Sequence, residues 1–68
     1  MIEFIDHRQS AFTALRAIAD DFEPVLSMAL EMKTKVIILA DQGFRLDQRR
    51  RPMFFWLEVA RKVLGEKA

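Results

Sequence analysis

Apolar residues recur at helical spacing along nearly the whole chain, and this pattern more than any other predicts an all-α fold. In the first segment they fall at Ile5, Phe12, Leu15, Ile18, Ala19 and Phe22. At about 100° per residue they occupy an arc of about 140°, leaving Asp6, Thr13, Arg16 and Asp20 on the rest of the surface. That is an amphipathic helix with one buried stripe.

Asp20-Asp21-Phe22-Glu23-Pro24 is the first interruption. Two acids oppose the macrodipole at a helix C-terminus and complement it at an N-terminus. Asp21 is therefore expected to cap a new helix, with Pro24 in a first turn that needs no donor there. The rival reading is one long helix kinked at Pro24. It draws support from a seven-residue phase through Ile5, Phe12, Ala19 and Leu26. The break is preferred.

The next segment, Val25 to Asp41, has an apolar arc of about 200° through Val25, Met28, Met32, Val36 and Leu39, widened by Leu26, Leu30 and Ile37. One neighbouring helix cannot cover that much. Val36-Ile37-Ile38 raises a strand alternative, which in so short a chain has nothing to pair with except a second copy. Gly43 is expected to end the helix in a left-handed cap. After an Arg-rich loop, Pro52 suits the first position of a last helix, with Gly65 just past its end. That helix is also apolar over about 200°, and Phe54 lies outside even this arc.

The expected fold is thus a single helical domain over 1–68, a helical hairpin or three-helix unit with helices at 5–20, 22–41 and 52–64 and a basic loop at 43–51. A chain of 68 residues holds only a small core. With no Cys and one His, neither a disulfide nor a structural zinc site is expected to reinforce it. Burial against a second chain remains, so homodimerisation is expected to complete the fold. Its interface is expected around Leu30, Ile37, Phe54, Phe55 and Trp56. Met53 to Leu57 is a run of five apolar side chains, which point all round a helix, and Trp close to Arg is a frequent hot-spot composition.

The other concentrated feature is basic: Arg45, Arg49, Arg50 and Arg51 within seven residues, in a chain whose net charge is only +1. Arg49 to Arg51 sit just before a helix start, where the dipole disfavours cations unless an anion joins them. These four are the candidate partner- or anion-binding residues. Protein carboxylates are preferred to phosphate, because Met53-Phe54-Phe55-Trp56 is no helix for reading a DNA groove. A plain solvated loop is the alternative. Lys33 lies inside an apolar arc and either snorkels to solvent or meets an acid of a partner.

No catalytic constellation is recognisable. His7 falls on a polar face with no nucleophile that Ser10 or Thr13 alone could supply, and adjacent Asp20 and Asp21 diverge on a helix. No cofactor motif or metal-ligand spacing occurs. The longest apolar runs are five residues, far short of the ~20 needed to span a membrane, and the N-terminus lacks a signal-peptide pattern. A cytoplasmic location and no membrane partner are expected. The functional expectation is a non-enzymatic interaction module: a small dimeric regulator or inhibitor that binds a larger protein. Phage and mobile-element inhibitors share its scale but no motif. The alternative is a small nucleic-acid-associated regulator using the Arg45–Arg51 loop on phosphates.

Overall fold

The computed structural model describes the main chain of residues 2–67 and the side chains of 9–65. The side chains of Ile5, Asp6 and His7, discussed above, lie outside the described residues. Four helices follow one another: α1 (Ile2–Asp21), α2 (Glu23–Leu26), α3 (Met32–Leu46) and α4 (Met53–Lys67). No strand occurs among the described residues, so the Val36-Ile37-Ile38 cluster is helical. The three long helices each pack on the other two, and α2 packs on α1.

One core results. α1 contributes Ala11, Leu15 and Ala19 at spacing i, i+4, i+8; α3 adds Val36, Leu39 and Ala40; α4 adds Trp56, Val59, Ala60, Val63 and Leu64. Leu15, Leu39 and Val63, one from each long helix, are the largest fully buried side chains. Leu26 closes one end, and Phe12, Ile18, Phe22 and Phe44 pack around the rim half-buried.

Two expectations about the connections are corrected. The expected helix over 22–41 is instead a single turn, then an irregular stretch over 27–31, then α3. The interruption between α1 and α2 is the single residue Phe22, two before Pro24; Pro24 stands in the first turn of α2, and no side chain caps it. Asp21 remains in α1. Beyond Leu26, the Ser27 hydroxyl donates to the Pro24 carbonyl at 3.3 Å, a local bond that competes with helix continuation. A continuous helix here would carry α3 away from α1, whereas the buried stripes of both require the chain to turn back. Glu31, in extended conformation, then starts α3.

The second correction concerns Gly43. It does not end the helix: α3 runs to Leu46, and no glycine has positive φ among the described residues. Gly43 is buried inside α3 because Trp56 lies directly on it. A Cβ there would overlap Trp56 Cε3 and sit 2.8 Å from Cζ3 and 3.0 Å from Leu15 Cδ1. The expected loop over 43–51 accordingly shrinks to the connection between Leu46 and Met53, and Gly65 lies within α4 rather than beyond it.

Candidate functional site

The end of α3 is built without glycine. Gln48 and Arg49 take left-handed conformations, at φ 57° and 60°. The Arg49 N–H donates to the Phe44 carbonyl at 3.0 Å and the Gln48 N–H to Arg45 at 3.0 Å, the paired bonds of a Schellman cap. This turn swings Asp47 toward the start of α4.

Asp47 is the hub of the connection. Its Oδ2 accepts the Arg51 backbone N–H at 3.0 Å, Arg51 Nε at 3.2 Å and Trp56 Nε1 at 3.4 Å; its Oδ1 accepts Arg51 Nη2 at 3.2 Å. The two-nitrogen fork is the geometry in which guanidinium and carboxylate pair best. The Arg51 side-chain bonds hold the Asp47 carboxyl below the usual carboxylate range, overcoming burial, which pushes it up. The Arg51 guanidinium also lies over the rings of Phe55 (4.6 Å to the centroid) and Trp56 (5.2 Å), which meet edge to face.

This divides the four arginines. Arg51 is a clasp between the end of α3 and the aromatic start of α4. Arg45 pairs with Asp41 at 3.0 Å across one turn of α3. Arg49 and Arg50 are exposed and make no ion pair among the described residues. The positive charge ahead of α4 is thus partly answered from within by Asp47, a partner the loop's sequence did not single out.

The apolar candidates divide as well. Trp56 is buried, 4% exposed, in the protomer's own core. Phe55 is half-buried beneath Arg51, and Leu30 is half-buried in the 27–31 stretch. Ile37 and Phe54 stay open, 50% and 72% exposed. Ile37 lines a groove of about 450 Å³ between α3 and α4, together with Met32, Lys33 and Val36 of α3 and Leu57 and Arg61 of α4. Phe54 stands one turn before Leu57 and two turns before Arg61, on the same face of α4.

Sequence reasoning missed Met32, Leu57 and Arg61 as members of this surface. Lys33 within an apolar arc was the available signal, because a cation among apolar neighbours on an exposed helix marks the edge of a groove. A smaller cleft of about 270 Å³ opens over the Asp47–Arg51 clasp, walled on the α1 side by Ser10, Ala14 and Ile18. No group of three or more His, Asp or Glu able to hold a metal occurs among the described residues. No helix among them is long and apolar enough to cross a membrane. No known protein family, curated protein or solved structure gives a significant match to the chain.

Proposed function

We propose that this protein is a non-enzymatic protein-interaction module, a small regulator that engages a larger protein through the outer face of α3 and α4. The observation that carries the reading is the pairing of exposed Ile37 and Phe54 with an apolar groove whose lining includes two cations, Lys33 and Arg61. Contiguous apolar surface on a small protein usually marks a contact site, and its charged edge selects the partner.

Homodimerisation through this face is the weaker form of the reading. Of the five residues expected at a dimer interface, only Ile37 and Phe54 are largely exposed, since Trp56 belongs to the core and Phe55 and Leu30 are half-buried. A two-fold contact also sets a patch against itself, which would bring Lys33 and Arg61 of the two copies together.

The nucleic-acid alternative rests on Arg49 and Arg50, held outward by the Schellman turn. Two phosphate contacts give a log–log salt slope of only about −2, the mark of a weak binder. Capture from nuclease-treated native extract tests the proposal. A co-purifying protein is expected with wild type and with Arg49→Ala/Arg50→Ala, and its loss with Ile37→Asp/Phe54→Asp. Retention by the last variant overturns it.

A further inference from the structure

We infer that the α3–α4 groove receives an acidic amphipathic helix of a partner protein, held by apolar anchors in the groove and by carboxylates at Lys33 and Arg61; this rests on the interaction reading above. The groove's dimensions suit a helix. Its walls run from Met32 to Ile37 on α3 and from Leu57 to Arg61 on α4, about 6–8 Å each, and Phe54, one turn before Leu57, extends the α4 face to about 10 Å, the span of an i, i+3/i+4, i+7 set of anchors on a docked helix. Its floor is apolar: Val36 is buried, Leu57 is half-buried, and Met32 and Ile37 are each about half exposed. A docked apolar stripe would cover what α1, packed on the other side, leaves open.

The charge specifies the rest. Lys33 and Arg61 line the groove from opposite helices, and no acidic residue lines it among the described residues. Of the nearby acids, Glu31 stands exposed at the N-cap of α3, just outside the lining, Asp41 is paired with Arg45, and Glu58 is engaged in an interaction of its own. An incoming helix with Glu or Asp beside its apolar stripe therefore meets two cations. One with Lys or Arg there meets repulsion. A second copy of this chain would present the same two cations, so it is the poorer occupant.

Two synthetic helical peptides with the same Leu stripe, flanked by Glu in one and by Lys in the other, provide the test. Their binding to the full chain is read by fluorescence anisotropy at low salt. The Glu-flanked peptide is expected to bind about tenfold more tightly. With Lys33→Glu/Arg61→Glu, whose fold is checked by circular dichroism, the preference should invert. NMR shifts at the Met32 and Ile37 methyls should place the peptide in the groove.

Absence of binding, equal binding of the two peptides, or a preference that survives charge reversal overturns the inference. So does a shift of the Ile37 methyl with protein concentration alone, which would give the groove to a second copy. If capture depends on Ile37 and Phe54 but the peptides show no preference, the interaction reading stands and only the acidic-helix occupant falls.

Discussion

Gly43 and Asp47 show how much of this fold depends on single atoms that are present or missing. Glycine inside a helix costs about 1 kcal/mol relative to alanine, so its place in the last turn of α3 needs a compensating contact. That contact is the Trp56 ring, seated where a Cβ would be. Trp56 cannot step aside easily, because its Nε1 donates to Asp47 and Arg51 lies over its face. Gly43→Ala is therefore expected to destabilise the protein by about 1–3 kcal/mol despite alanine's better propensity, read as a lower denaturant midpoint. An unchanged or higher midpoint would mean that the α3–α4 contact relaxes freely. Asp47 carries a pH signature. Its pKa is lowered in the fold, chiefly by the Arg51 side chain, so its stabilisation is complete above the unfolded value of about 3.9. It is lost as pH falls through the depressed folded value. Asp47→Asn should lower the unfolding midpoint at pH 7 by the equivalent of about 1–3 kcal/mol, and the gap to wild type should close below about pH 4.

At the scale of elements, the long helices were legible and their connections were not. The core stripes of α1 and α4, and Val36, Leu39 and Ala40 of α3, are set by a periodicity that any packed arrangement must respect. The stretch over 27–31 has the same apolar character, yet it is not helical, because the direction in which the chain must turn is a property of the packed bundle. Gly43 misled for a related reason: a glycine near a helix end suggests a cap, and only the fold places Trp56 against it. The real cap of α3 uses Gln48 and Arg49 in conformations that cost L-residues roughly 1–2 kcal/mol each. Gln48→Gly should therefore raise the denaturant midpoint by the equivalent of about 0.5–1 kcal/mol, with the helical circular dichroism signal unchanged. The Arg run was legible as a charge cluster but not in its division of labour. Asp47 lies within the cluster, and the tight turn that lets it grip Arg51 and Trp56 has no sequence signature. In the same assay Arg51→Ala should cost about 1–3 kcal/mol, whereas Arg49→Ala/Arg50→Ala should stay within about 0.5 kcal/mol.

The whole molecule divides its apolar residues between a core that a chain of this size can ill afford to weaken and an outer face whose exposed members, Ile37 and Phe54, add little to it. At 0.05–0.15 kcal/mol per residue, 68 residues give a total stability of about 3–10 kcal/mol. Truncating a buried Trp costs about 3–5 kcal/mol, so Trp56→Ala should remove about a third of it or more and sharply lower the denaturant midpoint. Ile37→Asp/Phe54→Asp should behave in the opposite way. Neither side chain is buried in the protomer, and an acid at position 54 falls in the first turn of α4, where the dipole favours it. Its thermal midpoint should match wild type within about 4 °C, roughly what a 0.5 kcal/mol surface change moves in a domain this small. Concentration supplies the decisive control. Stability that comes from a dimer rises with protein concentration by mass action, whereas that of a monomer does not. Across a hundredfold range in the micromolar region, wild type and Ile37→Asp/Phe54→Asp should keep one common midpoint. A wild-type midpoint that climbs with concentration, and drops to a fixed lower value in the double variant, would assign Ile37 and Phe54 to a homodimer and leave the groove no room for another protein's helix.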